Sequence, residues 1–326
     1  MKRIALVTGA GGAIGSILVR RLLEHGCRVR ALVRGPSSRG LPETVEIFRG
    51  DITDSGLLAE ATDGVGWVFH LAARLHLNNP PPGMQEEYGL ANVEGTRRLV
   101  QAARGSGVER LIFFSTINVY GQTRPGEVFD EDSPLRPESL YAETKVRGER
   151  LALDGMASVV LRLAAVYGPG MKGNYTRLLQ ALRRGRVLMP GDGCNRRTLA
   201  FVEDVCCAAI LAAEHASAAG QIYNVTDGQV HTLREIINAM SEALGRPVTA
   251  IRLPKSAVRL AAGVWEDGWR LAGKSSSVGR ATVDKFVEDV AVSGVKIQQL
   301  GFRPQYDLRA GWRATVKEYL AERRLS

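Results

Sequence analysis

Short apolar runs alternate with amphipathic stretches through the first half of the chain, the pattern of repeated strand and helix units around a parallel sheet. Residues 3–8, 28–33, 45–49, 67–71, 110–115 and 158–163 read as strands. The fifth contains Leu111-Ile112-Phe113-Phe114 with no polar alternation, as in a strand covered on both faces. Residues 14–25 carry Ile14, Ile17, Leu18 and Leu22 at helical spacing, with Gly26 as the stop. A helix over 57–61 has Asp54 as its N-cap, and Asn79-Pro80-Pro81-Pro82-Gly83 breaks the chain before a long helix over 86–104. Residues 118–138, rich in Gly, Pro and acids, read as a loop, and 139–153 as a helix. Beyond residue 163 the order loosens. Helices are expected over 175–184 and 205–214, from the capping box Thr232-Leu233-Arg234-Glu235 to about Gly245, over 256–271 and over 308–322. The expectation is an α/β fold, a doubly wound parallel sheet with a smaller C-terminal α/β lobe. The boundary falls at Gly168-Pro169-Gly170, so that 1–168 form a dinucleotide-binding domain and 169–326 a substrate-binding lobe, some of whose elements return to the first.

The first strand-to-helix turn reads Thr8-Gly9-Ala10-Gly11-Gly12-Ala13-Ile14-Gly15. Gly9, Gly12 and Gly15 permit a tight turn and close approach of a phosphate, and the free N–H groups at Ala13 and Ile14 open the helix that receives it. The second strand of such folds normally ends in an acid that binds the adenosine ribose. Here Arg34 stands there. A guanidinium pairs with a 2′-phosphate, which tilts the reading toward NADP without removing NAD. Asp51, closing the third strand, could take the adenine amino group or simply cap a turn.

Tyr141 and Lys145 stand four residues apart and so share one face of a helix. A cation beside a phenol favours the phenolate. Tyrosine as proton carrier beside a nicotinamide hydride carrier is the machinery for interconverting an alcohol and a ketone. The fifth strand runs into Ser115-Thr116-Ile117-Asn118-Val119-Tyr120-Gly121, and a hydroxyl at such a strand end faces the cofactor crevice.

Composition narrows the class. With 45% hydrophobic residues in 326, the chain buries a core without disulfide or metal staples. Cys27, Cys194, Cys206 and Cys207 lack zinc or redox spacing, so plain thiols and no metal are expected. The net charge of +9 comes from arginines scattered over the whole length, with only 6% aromatics and no nucleic-acid-binding signature. A basic surface attracting anionic small molecules is expected instead. The apolar start is too short for a signal-peptide core and no long uncharged run exists, so a cytoplasmic enzyme without a membrane span is expected. Residues 256–271 place Val258, Ala261, Ala262, Trp265 and Trp269 on one side, the pattern of a core face or a lid, or else of a helix lying on a membrane.

These elements together resemble the extended short-chain dehydrogenase/reductase family, in its nucleotide-sugar epimerase and dehydratase branch. The likeness spans nearly the whole chain. It is carried by the glycine turn, Gly50-Asp51-Ile52, His70-Leu71-Ala72-Ala73, Asn92-Val93-Glu94-Gly95-Thr96, the segment from Ser115 to Gly121, Tyr141 with Lys145, Tyr167-Gly168-Pro169, Arg197 with Asp204, and Leu300-Gly301-Phe302-Arg303-Pro304. The resemblance implies a Rossmann fold and a catalytic set of Thr116, Tyr141 and Lys145. It implies cofactor contacts at Ile52, Leu71, Ala72, Ala73 and Asn92, the Asn92 amide steadying the backbone of the fifth strand. Asn174 would open the substrate-lobe helix, Met189 would lie under the substrate base, and Arg197 would bind the substrate diphosphate. His70 is assigned no chemistry. A homodimer built from the long helix and the Tyr141 helix is a further implication.

One position departs from the family. Members acting on UDP-sugars often carry Asn where this chain has Ala165, which can donate no side-chain hydrogen bond. The leading expectation is a UDP-sugar 4-epimerase-type enzyme. An NADPH-dependent reductase of a 4-keto sugar or another carbonyl is the alternative, favoured by Arg34 and Ala165. A non-catalytic NADP(H)-sensing protein is the third, disfavoured because a sensor has no use for a proton carrier.

Overall fold

The computed structural model describes residues 2–35, 40–75, 83–124, 126–171, 173–247, 249–272, 276 and 279–322. The expected break at Asn79-Pro80-Pro81-Pro82 lies outside them. In chain order the elements are β1 (Ile4–Thr8), α1 (Ala13–Glu24), β2 (Arg28–Val33), β3 (Glu46–Arg49), α2 (Ser55–Thr62), β4 (Trp67–His70), α3 (Met84–Tyr88), α4 (Gly95–Gly105), β5 (Arg110–Thr116), α5 (Leu140–Leu153) and β6 (Ser158–Leu163). They continue with β7 (Ala165–Tyr167), α6 (Asn174–Arg183), β8 (Arg186–Pro190), β9 (Arg196–Arg197), β10 (Leu199–Phe201), α7 (Val202–Glu214), β11 (Ile222–Val225), β12 (His231–Thr232) and α8 (Leu233–Ala243). The last are β13 (Thr249–Leu253), α9 (Lys255–Leu271), α10 (Arg280–Val287), α11 (Val295–Gln299) and α12 (Leu308–Glu322).

Seven strands form one sheet in the order β11-β6-β5-β4-β1-β2-β3. Every pairing in it is parallel. This is the doubly wound Rossmann arrangement, with the strand order reversing between β1 and β4 and a crevice opening there at the carboxyl ends. The central strands β4 and β6 are buried along their whole length, although β4 ends in His70 and β6 carries Ser158 and Arg162 among its apolar residues. On one face α1 presents Gly15, Leu18, Val19 and Leu22 to the sheet. Beside it α7 buries Ala208, Ala209, Ala212 and Ala213. Arg20 and Arg21 of α1 clamp Glu203 of α7 at 2.7 and 2.6 Å. The other face is covered by α2, α4 and α5, where Leu58, Leu99, Val100 and Ala152 join one core cluster. The chain past Gly168 therefore returns to the sheet through α7 and β11.

A second core forms beside the sheet, where Leu178, Leu182, Ile236, Ile237 and Trp312 pack around Tyr167. Tyr167 stacks on Trp312 at 4.6 Å between ring centroids. Both expected caps at helix starts are present: Asp54 accepts from the Leu57 N–H, and Thr232 and Glu235 close a reciprocal capping box. The long helix of the sequence pattern is interrupted by one π-helical turn, Gly89–Glu94, between α3 and α4. Such insertions widen a helix locally and recur at functional sites.

The 256–271 stretch does not form the core face that was one of the expectations for it. Its Trp265 and Trp269 face outward and cover no core, because the opposite side of α9 is taken by ion pairs to α10.

One buried polar group ties α5 to the sheet. Arg162 of β6 donates from Nη2 to Glu149 Oε2 at 2.7 Å and from Nε to Oε1 at 3.1 Å, with both side chains almost fully buried. Ser115 Oγ donates to the same carboxylate. Arg162 Nη1 donates to Tyr120 Oη at 2.8 Å, and Tyr120 donates onward to Asn224 Oδ1 at 2.9 Å. A buried carboxylate left without its guanidinium is strongly destabilising, whereas replacing both by apolar groups often is not. Arg162→Met is expected to lower the free energy of unfolding by about 3–5 kcal/mol, and the Glu149→Leu/Arg162→Met double variant to recover much of that loss, both read by urea denaturation.

Candidate active site

The glycine turn sits at the carboxyl end of β1, against the end of β4. Gly9 has φ +70°, and a Cβ on it would lie 2.9 Å from the Ala72 nitrogen. A Cβ on Gly15 would lie 2.8 Å from Ala10 Cα. Only glycine fits at both. Gly12 caps α1 without a side-chain hydrogen bond, and its own N–H donates to Gly9 O at 2.9 Å. The first-turn N–H groups at Ala13 and Ile14 therefore face a cradle that side chains would fill, which suits a pyrophosphate. Thr8 Oγ1 accepts the Ala72 N–H at 3.1 Å and meets His70 Nδ1 at 2.8 Å, fixing Leu71 and Ala72 over Gly9, with Ala73 next in the chain. His70 Nε2 meets Thr96 Oγ1 at 2.8 Å, and burial together with the Lys145 charge lowers its pKa to about 3. It is a neutral structural histidine.

Arg34 is exposed just past β2. Asp51 Oδ1 accepts from Thr53 N at 3.0 Å and from Thr53 Oγ1 at 2.7 Å, so this oxygen caps the turn. The Ile52 side chain is buried in the core cluster under α2 and α4, out of the crevice.

Ser139 caps α5 by accepting from Ala142 N at 3.2 Å, which sets Tyr141 in the first turn and Lys145 one turn on. Lys145 is buried, its Nζ 4.2 Å from the centre of the Phe113 ring on β5. Burial lowers the Lys145 pKa to about 8 against the opposing pull of Glu149. Burial, with Tyr88 adding to it, raises Tyr141 to about 12. The ammonium one turn away was expected to lower the phenol; in this structure burial raises it instead. Asn92 also differs from expectation. Its side chain accepts from Arg74 N at 2.6 Å and donates to Thr144 Oγ1 at 3.0 Å. It steadies the chain after β4 and joins it to the Tyr141 helix; β5 receives none of these bonds.

The structure separates the two hydroxyls at the end of β5. Ser115 is committed to Glu149, whereas Thr116 lines a pocket of about 180 Å³. That pocket also gathers Ala165, Asn174, Tyr175 and Arg197, and receives Lys285 and Glu288 from across the lobe. Three residues that the sequence scattered over eighty positions, Thr116, Asn174 and Arg197, thus share one cavity. Met189 does not join them. Its side chain is buried in the second core.

Residues 5–226 match the profile of the NAD dependent epimerase/dehydratase family. The chain belongs to this family. It is 30% identical over 329 residues to the UDP-glucose 4-epimerase of Vibrio cholerae, covering 98% of this chain and 96% of that one. It is 33% identical over 279 residues to the 3 beta-hydroxysteroid dehydrogenase/Delta 5→4-isomerase of Mycobacterium tuberculosis, covering 80% and 75%. The solved structure of MoeE5 in complex with UDP-glucuronic acid and NAD superposes with a TM-score of 0.76 at 30% identity, over 98% of this chain and 99% of the other. This chain is thus an NAD(P)-dependent enzyme of the extended short-chain dehydrogenase/reductase type, the branch its motifs resemble.

Sequence reasoning missed the far wall of the pocket in this epimerase/dehydratase. The segment after α10 threads between β9 and the loop that follows β5: Val290 N donates to Arg196 O at 3.0 Å, and Phe129 N to Ala291 O at 3.0 Å. That path delivers Glu288, whose carboxylate lies 3.0 Å from Lys285 Nζ and 3.9 Å from Arg197 Nη1. The only local signal was an acid and a base three apart, which ordinarily marks a solvated helix face. Among the described residues no cluster of His, Cys, Asp and Glu could hold a metal ion, and no helix is long and apolar enough to cross a membrane.

The buried ammonium of this epimerase/dehydratase has a stability consequence. Its folded pKa, about 8, lies below the ordinary 10.5. Between those values the unfolded chain holds the proton and the native protein does not, so this group makes stability rise with pH across that window. Below pH 8 the charge is carried at a cost. Lys145→Met is expected to be more stable than wild type by about 1–3 kcal/mol at pH 7. The gain should shrink toward pH 10.5, as read by thermal unfolding at stepped pH.

Proposed function

We propose that the enzyme is a nucleotide-sugar oxidoreductase of the 4-epimerase type. The reading is carried by the pocket that joins Thr116, at the mouth of the Rossmann crevice, to Asn174 and Arg197. In this reading the dinucleotide pyrophosphate lies on Gly9, Gly12, Ala13, Ile14 and Gly15, with Leu71, Ala72 and Ala73 beneath it and Asn92 supporting that chain from behind. Bound nicotinamide would supply the hydride acceptor and donor. Tyr141 takes the proton of the sugar C4 hydroxyl and returns it after the keto sugar has turned. Lys145 holds positive charge beside the phenolate that accepts this proton and that re-forms when the proton is returned, and its position in a buried, low-dielectric site strengthens that effect. Thr116 Oγ1 hydrogen-bonds the reacting oxygen. Arg197 grips the substrate diphosphate in exchange for its longer contact with Glu288. The UDP-glucose 4-epimerase relative and the UDP-glucuronic acid complex support a sugar nucleotide.

NADP against NAD rests on Arg34, which suits a 2′-phosphate, while the MoeE5 complex holds NAD. We infer a homodimer through the α4 and α5 faces. A second reading, net reduction of a keto sugar or an apolar ketone, is favoured by Ala165 in the pocket wall and by the steroid dehydrogenase relative.

Tyr141→Phe is expected to lower kcat by about two to four orders of magnitude while leaving dinucleotide affinity unchanged. A variant retaining most of its rate would overturn the proton-transfer role. Denaturing the purified protein decides between the readings: stoichiometric release of NAD is expected of the epimerase, whose cofactor stays bound through each cycle. An empty protein that consumes NADPH with added ketone would establish the reductase instead.

A further inference from the structure

Helix α9 is amphipathic with its sides reversed. Its polar side faces the protein. Arg259 Nε meets both Asp284 oxygens at 3.0 Å, and Arg280 of α10 binds Asp267 at 2.6 Å and Glu266 at 3.4 Å. Its apolar side faces outward, with Leu260 70% exposed, Val264 67%, Trp265 57%, Trp269 37% and Leu271 89%. Leu260, Val264, Trp265 and Trp269, with the small side chains of Ala257, Ala261 and Ala272, line one continuous shallow apolar groove. A helix that spends its ionic groups on internal pairs and leaves two tryptophans in water has an apolar surface that water penalises.

Three observations identify what covers it. First, Arg259 and Arg280 engage Asp284, Glu266 and Asp267, so that Lys255, 3.9 Å from Asp284 Oδ1, and Arg270, 3.0 Å from Asp267 Oδ1, share acids already paired and stand at the two ends of the exposed stripe with side chains 54% and 80% exposed. Together with the net charge of +9, this gives an apolar strip with basic ends, complementary to an anionic lipid surface. Second, Trp265 and Trp269 lie side by side with ring centroids 6.0 Å apart, and tryptophan favours the boundary between headgroups and acyl chains. Third, the strip is small. A helix of 17 residues is about 25 Å long and about 10 Å wide, a footprint on the order of 250 Å², against the roughly 800 Å² that each partner of a stable dimer buries.

We propose that α9 is a membrane-surface helix that docks the enzyme on an anionic bilayer, lying in the plane of the headgroups. The helix that braces it, α10, also supplies Lys285 and Phe286 to the pocket wall, so docking reaches the site through one helix. The proposal stands apart from the choice of substrate.

The chain carries its own reporter. Of its four tryptophans, Trp67 and Trp312 are buried, so a shift in emission on adding lipid reports α9. With the full-length protein, phosphatidylcholine vesicles containing phosphatidylglycerol are expected to move the emission to the blue and to carry the protein into the pellet. Pure phosphatidylcholine vesicles should bind about tenfold less. Trp265→Ser/Trp269→Ser should lose about tenfold or more of the pelleted fraction, with an unchanged circular dichroism spectrum and unchanged dinucleotide binding. Lys255→Gln/Arg270→Gln, which retains both tryptophans, should lose the preference for phosphatidylglycerol and keep the residual binding. Emission indifferent to vesicles, or pelleting equal in wild type and the tryptophan variant, overturns the proposal. So does an oligomer in sedimentation equilibrium that the tryptophan substitutions dissolve, which would assign the strip to a second copy of the chain.

Discussion

The buried pair between Glu149 and Arg162 is the constraint on which the site geometry rests. It joins α5 to β6 and takes in Ser115 of β5, and through Tyr120 and Asn224 it reaches β11. Three neighbouring strands and the helix bearing Tyr141 are thus locked by one set of hydrogen bonds in a region from which water is excluded. A buried ionic group contributes little net stability and tolerates few arrangements, because any partner lost leaves a charge uncompensated. Placed one turn beyond Lys145, it fixes where the ammonium sits. By consuming Ser115 it also leaves Thr116 as the β5 hydroxyl that faces the pocket.

Burial then sets the electrostatics. The same desolvation raises Tyr141, lowers Lys145 and strips His70 of its charge. The last effect is useful to the fold. A neutral imidazole can accept on one nitrogen and donate on the other, and Thr8 and Thr96 use both to hold the Leu71-Ala72 backbone against Gly9. Lys145 is different. Its ammonium is buried at a cost to stability, an arrangement that clusters at functional sites and accords with the role proposed for it beside Tyr141.

The substrate side depends on long-range closure. Glu288 and Lys285 come to Arg197 because the segment after α10 pairs with β9 on one side and with the loop after β5 on the other. The same α10 turns the ionic side of α9 inward. One short helix therefore organises both the wall of the pocket and the surface that exposes Trp265 and Trp269.

The strands and helices of the first half were legible in the sequence because each depends on local periodicity. The apolar run through Phe113 and Phe114, the spacing of Leu18 and Leu22, and the caps at Asp54 and Thr232 needed no distant partner to be read. The glycine turn was legible for the same reason, since its close contacts are fixed by the fold that its own neighbours announce. What stayed hidden involved partners far apart in the chain. Asn92 was expected to steady β5 and instead bonds Arg74 in the segment after β4; Met189 was expected under a ligand and fills the second core; the Trp265 face suggested a core face, a lid or a helix lying on a membrane, and it covers no core. Periodicity tells which side of a helix is apolar. Only the tertiary structure decides which side is turned inward, because that depends on whether a distant acid such as Asp284 arrives to pair the arginines on the other face.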